Sequence, residues 1–220
     1  MSDKSPPVRS PLVIGLTGGI AAGKSSVSRR LEEKGAYIVE ADRLGHLVIA
    51  PDGEAYAEVV AAFGRGILNP DGTVDRRKLG ATAFGDPAKL KVLNGISHPR
   101  MGARMAKEIA AARALPEGKR PPLIVLEAAI LLETGWDQLC DVVWSVEAPT
   151  ELSISRLMDR NGLSLEDAQA RLNAQMSNEE RASRAQHVIR NSGSQDFLLD
   201  QVDLLWQKIV GAKKAPRARA

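Results

Sequence analysis

Leu12-Val13-Ile14-Gly15-Leu16-Thr17-Gly18-Gly19-Ile20-Ala21-Ala22-Gly23-Lys24-Ser25 is the stretch that decides the fold of this chain. Leu12 to Thr17 is a compact apolar run closed by Gly18-Gly19, and it predicts a buried strand. Gly18 to Ser25 matches GxxxxGK[ST], the phosphate-binding loop pattern. Glycines let successive backbone N–H groups turn inward around phosphate oxygens. The helix that follows offers its N-terminus to the same anion. Lys24 is placed to reach the outer phosphates, and the Ser25 hydroxyl to coordinate Mg²⁺. From Lys24 to Lys34, Val27 and Leu31 recur at helical spacing until Gly35 stops the pattern. Strand, loop and helix thus stand in the order the mechanism needs, and the expected ligand is a nucleoside triphosphate.

Outward from this stretch, β-rich runs alternate with helical ones. Tyr37-Ile38-Val39, Leu123 to Leu126, Val142 to Val146 and His187-Val188-Ile189 read as four further short strands. Helical sequence between them predicts an α/β fold, a doubly wound parallel five-stranded sheet with crossover helices. The stretch from about Asp42 to Leu115 differs. It is helical in pattern, broken at Pro51-Asp52-Gly53, Asn69-Pro70-Asp71-Gly72 and His98-Pro99, and Met101 to Ala114 is its best helix. One crossover needs far less chain, so an inserted helical subdomain is expected over about 42–121. The core is expected over 11–41, 122–155 and 186–210, with a helical lid over about 156–185. A disordered arm is expected over 1–10 and a basic disordered tail over 211–220.

Composition narrows the class. Of 220 residues, 44% are apolar and 26% charged, which excludes a wholly disordered chain. No apolar run approaches the roughly eighteen residues that span a bilayer. Met1 to Pro11 lacks the apolar stretch of a signal peptide, and Cys140 is the single cysteine, so a cytoplasmic protein is expected. The net charge is +3, but Lys213, Lys214, Arg217 and Arg219 lie in the last ten residues, and the remainder carries −1. The basic balance belongs to the tail, and neither a nucleic-acid nor a membrane partner is expected. Gly64-Arg65-Gly66 lacks the third glycine and the preceding strand of a dinucleotide fingerprint. His46, His98 and His187 form no metal set by spacing.

A second group must receive the phosphate. Asp42 follows the second strand, and ligands of doubly wound sheets gather beyond the carboxyl ends of strands. Asp42, or Glu40 beside it, is positioned to take the proton of an attacking hydroxyl. A helix N-cap is the competing reading of Asp42. Glu127 ends the third strand and reads either as a carboxylate near Mg²⁺ or as a structural acid. Arg156 and Arg160 stand one turn apart near the end of a helix. Ser164-Leu165-Glu166-Asp167 then opens another. Such arginines suit a lid that closes on the triphosphate, with Arg160 in a catalytic role, or a solvated face.

Taken together, these segments resemble the dephospho-coenzyme A kinases. The resemblance rests on Leu16 to Ile20 leading to Gly23-Lys24-Ser25, on Ala41-Asp42, on Phe63-Gly64 and on Asp71 to Arg76. It continues through His98-Pro99, Leu131-Leu132-Glu133, Arg156-Leu157, Arg160-Asn161-Gly162, Gln175, Asn191 and Gly193. It implies a P-loop kinase that uses ATP to phosphorylate the ribose 3′-hydroxyl of dephospho-coenzyme A; separately, a monomer is expected rather than an oligomer. It also implies that Gly18, Gly19, Ile20, Ala21, Ala22, Gly23, Lys24, Ser25, Ser26, Arg156, Asn191 and Gly193 hold ATP. Asp42, Arg76, His98 and Glu133 are implied to hold the acceptor, with Asp42 as the base. Three departures stand out: Glu40 replaces the usual Asp, Ala129-Ile130 the usual Pro-Leu, and Gln186 the usual Asp before the fifth strand.

Overall fold

The computed structural model describes residues 11–211, so the expected arm over 1–10 and the tail beyond Gly211 lie outside the described residues. The described chain divides into two compact units. One holds the residues up to Val39 and from Ile109 onward, and the other is Glu40–Glu108.

The first unit is built on a sheet of five strands, β1 (Leu12–Gly18), β2 (Tyr37–Glu40), β3 (Leu123–Glu127), β4 (Val142–Glu147) and β5 (His187–Arg190), in the order β2-β3-β1-β4-β5. All five expected strands are present. β1 pairs in parallel with β3, Leu12 beside Leu123 through Leu16 beside Glu127, and with β4, Ile14 beside Val142 through Gly18 beside Val146. β4 pairs in parallel with β5. β1 is covered on both faces, and its near-continuous apolar sequence is the signature of such a strand. Ile14, Leu16, Leu123, Val125, Trp144, Val146 and Ile189 bury one face against Val27 and Leu31 of α1 (Lys24–Glu33). The end of α1 is a Schellman turn, in which Gly35 N–H donates to Glu32 O at 2.8 Å and Ala36 N–H to Leu31 O at 3.0 Å. Gly35 takes the left-handed φ of 93° that this turn requires.

The second unit contains α2 (Ala41–Val48), α3 (Tyr56–Phe63), α4 (Arg76–Phe84) and most of α5 (Pro87–Ala114), whose last residues group with the sheet. Val48, Ile49, Ala55, Val59, Ile67 and Leu79 form its own small core. Asp75 caps α4, accepting the N–H groups of Arg77 and Lys78 at 3.0 and 3.1 Å. The expected break at His98-Pro99 does not occur, because α5 runs unbroken through Pro99. Proline removes one helical donor and crowds the carbonyl four residues back. Here that residue is Gly95. The Arg100 guanidinium donates to Ile96 O at 2.5 Å and also engages Glu54 O and Glu58. These bonds fasten the turn of α5 that carries Pro99.

After β4 come α6 (Thr150–Asn161), α7 (Leu165–Asn173), α8 (Asn178–Arg184) and, after β5, α9 (Gln195–Trp206). Ser164, Ser177 and Ser194 cap α7, α8 and α9 through bonds to the N–H groups of Asp167, Glu180 and Phe197. Arg30 of α1 and Lys34 at its C-cap meet Asp203 of α9 at 2.7 and 3.0 Å.

Candidate active site

The loop between β1 and α1 sits where the sheet order turns, with β3 on one side of β1 and β4 on the other. Gly18, the last residue of β1, approaches β4 so closely that a Cβ there would collide with Val146 O. Gly23 opens α1 at φ 104° and ψ 18°, left-handed backbone, and a Cβ there would collide with Asn191 Nδ2. Lys24 folds over the loop, its ammonium donating to Gly18 O at 2.9 Å and Gly19 O at 3.4 Å.

A cavity of about 350 Å³ opens at this point, lined by Gly19, Ala21, Ala22, Gly23, Lys24, Ser25, Glu127, Arg156 and Arg160. Loop, strand-end carboxylate and both α6 arginines, far apart in sequence, therefore share one wall. Arg156 and Arg160 are four residues apart on α6 and so face the same way. Arg156 donates to Ala21 O at 3.3 Å and to Asn191 Oδ1 at 3.4 Å. Arg160 is exposed and donates to Asn161 Oδ1 at 3.0 Å. Three cations against one carboxylate make the cavity a trap for a polyanion.

Asn191 does not line the cavity but holds it. Its side chain is buried and donates to Ala22 O at 2.9 Å, while its own N–H donates to Glu147 O at 2.6 Å. Gly193 is exposed two residues later, just before the α9 cap. Ser26 lies in the first turn of α1, its N–H donating to Gly23 O at 3.1 Å. Ile20 N–H is held by Gln175 Oε1 at 2.8 Å.

In the second unit, Asp42 lies in the first turn of α2, and Glu40 holds the N-cap position without a side-chain cap bond. The capping reading of Asp42 therefore fails: it is the second residue of the helix, exposed to solvent. His46, one turn on, has its pKa lowered by burial and then by Arg76, with Asp42 opposing. Arg76, at the start of α4, and Asp42 thus share the neighbourhood of His46. Its placement four residues after Asp42 on a helix was a readable signal. His98, on α5, is half-buried, and burial lowers its pKa, which keeps the imidazole neutral near pH 7. Glu133, beyond β3, lies outside the cavity at 4.0 Å from Arg181 Nη2. Arg181, fully buried, was not foreseen, since no periodicity distinguishes it from the charged residues around it.

Two departures from the family pattern have structural counterparts. Gln186 Oε1 accepts Val143 N–H at 2.6 Å, so an acceptor oxygen is kept before β5. Ala129 O accepts the buried Thr17 hydroxyl at 3.3 Å, and Ala128 N–H donates to Leu16 O at 3.1 Å, so the loop after β3 stays tied to β1.

A family model described as dephospho-CoA kinase matches residues 12–196. The dephospho-CoA kinase of Symbiobacterium thermophilum is 41% identical over 201 residues, 91% of this chain and 82% of that protein. The crystal structure of TT1252 from Thermus thermophilus superposes with a TM-score of 0.74 at 33% identity, covering 94% of this chain and 99% of that one. The dephospho-CoA kinase from Campylobacter jejuni gives a TM-score of 0.61 at 25% identity, over 90% of this chain and 96% of its own.

Proposed function

Since the chain belongs to the dephospho-CoA kinase family, we propose that it phosphorylates dephospho-coenzyme A on the ribose 3′-hydroxyl with ATP, giving coenzyme A. The observation that carries the reading is the single cavity shared by the glycine loop, Lys24, Ser25, Glu127, Arg156 and Arg160. The loop residues from Gly18 to Ser26 surround the phosphates, to which the loop backbone and the start of α1 offer N–H groups, and Lys24 draws its ammonium to the outer ones. Asn191 and Gly193 border the nucleotide on the β5 side.

In the transfer, the 3′-oxygen bonds to the γ-phosphorus, the bond to the β–γ bridging oxygen breaks, and ADP leaves. Asp42 takes the hydroxyl proton. Arg160 and Arg156 stabilise the charge that develops on the phosphoryl oxygens. Arg76, His98 and Glu133 hold the acceptor. His98, neutral for the reason given, serves as a hydrogen-bonding group rather than a fixed charge. The stretch from Arg156 to Ala185 acts as the lid that keeps water from the phosphoryl group.

Ser25 and Glu127 offer a hydroxyl and a carboxylate in the same cavity, the hard oxygen donors that Mg²⁺ takes alongside phosphate oxygens and water. Bound with the triphosphate, the ion would neutralise charge on the β- and γ-oxygens. No described helix is long and apolar enough to cross a membrane, and a cytoplasmic setting is part of this proposal.

The test is a coupled assay of ADP release with and without dephospho-coenzyme A, with Lys24→Ala as control. Release should depend on the acceptor, match the coenzyme A formed, and fall on the order of a thousandfold in the variant. ADP release at the same rate without acceptor would refute the kinase reading.

A further inference from the structure

Gly19 also lines a second cavity of about 350 Å³, walled by Gln175 and Met176 from the segment between α7 and α8 and by Asn178 and Arg181 of α8. Two features fasten that segment. Arg181 is fully buried; it donates from Nη2 to Met176 O at 2.9 Å and from Nη1 to Asn178 Oδ1 at 3.4 Å, with Glu133 Oε1 at 4.0 Å. Asn178 Nδ2 in turn donates to Ala148 O at 3.1 Å, just beyond β4. A buried guanidinium costs much to move, because its charge would lose these partners together with the attraction of Glu147 and Glu180.

From this fastened segment Gln175 reaches the phosphate loop and accepts Ile20 N–H at 2.8 Å. The next residue, Ala21, has a left-handed φ of 59°, the one positive value among the described non-glycine residues. A residue with a Cβ stays in that region only where its surroundings hold it there. Within the loop itself the bond that closes the turn is Ala22 N–H to Gly19 O at 3.2 Å. The bond to Gln175 holds the lip from outside.

We infer that Gln175 is a positioning residue for ATP: by holding Ile20 N–H it keeps the lip of the loop, with its left-handed Ala21, in the shape that receives the outer phosphates. Arg181 anchors the segment from which Gln175 acts. The inference rests on the reading of the loop as the ATP site. It also narrows the moving part of the lid to the stretch before Gln175.

The test measures ATP affinity by calorimetry, without acceptor, and the exchange rate of the Ile20 amide by NMR. Gln175→Ala should weaken ATP binding about five- to tenfold, the effect of losing one partly buried hydrogen bond. It should speed Ile20 exchange by a similar factor in the nucleotide-free protein. Gln175→Glu keeps an acceptor oxygen at the same reach, so Ile20 exchange should stay slow, while its charge weakens ATP binding. Unchanged ATP affinity in Gln175→Ala, or Ile20 exchange equal to that of the parent protein, overturns the inference. A parent protein that binds ATP but never phosphorylates dephospho-coenzyme A refutes the proposed function and leaves this inference standing or falling on the two measurements.

Discussion

Replacing Gly23 by Ala puts a methyl group where the loop meets the sheet, and its cost can be worked from the geometry. Gly23 sits at φ 104° and ψ 18°. Holding an L-residue in left-handed backbone costs about 1–2 kcal/mol. The new Cβ also collides with Asn191 Nδ2, which donates to Ala22 O at 2.9 Å in a buried bond. Displacing that amide leaves a buried donor unpaired, about 1–3 kcal/mol more. The sum is about 2–5 kcal/mol, or a fall in Tm of about 5–15 °C for a domain of this size. Thermal unfolding followed by circular dichroism would read it, and ATP affinity should fall with it because the distortion lies inside the loop. Asn191→Ala supplies the internal check. Once that side chain is gone the collision is gone, so the two changes together should cost less than their sum. A Gly23→Ala protein that melts within about 2 °C of its parent would refute the reasoning, as would strict additivity of the pair.

Asp42→Asn keeps size and helix position but cannot accept a proton, so kcat should fall by roughly 10²–10⁴ with little change in acceptor affinity. Since Asp42 is not the cap of α2, unchanged turnover would remove it from the chemistry rather than reassign it to capping. Arg160→Ala should lower kcat strongly with a smaller effect on ATP affinity, because an exposed arginine at the cavity mouth acts on charge that develops in transfer; an effect on affinity alone would make it a binding group. Hydrogen exchange over Arg156 to Asn173 should slow when nucleotide binds, and equal rates with and without nucleotide would identify a static helical face. Burial, with Asp137 and Asp141 adding to it, pushes the Cys140 thiol up to about 12. The thiolate is therefore absent near pH 8, and iodoacetamide should label the folded protein only as the pH nears that value or after denaturation, so rapid labelling at pH 8 would show the thiol to be open.

All five strands, the glycine loop and the start of α7 were legible in the sequence because each is set by neighbours in the chain. Apolar runs, turn glycines and a serine cap need no distant partner to declare themselves. The same holds for Lys24 and Ser25, whose spacing follows from the loop they belong to. Pro99 misled for the same local reason: its missing donor is visible in the sequence, whereas the bonds of the Arg100 guanidinium to Glu54 O and Glu58, which with that to Ile96 O fasten this turn of α5, need a partner from elsewhere in the chain. Tertiary structure alone decided the rest. It put Glu127 and the α6 arginines on one cavity wall with the loop, tied Asn191 and Gln175 to loop residues more than 150 positions away, and buried Arg181 among Met176, Asn178 and the distant Glu133. Such contacts depend on which strands lie side by side, and strand order is set by the packing of the whole sheet, which no short stretch of sequence encodes.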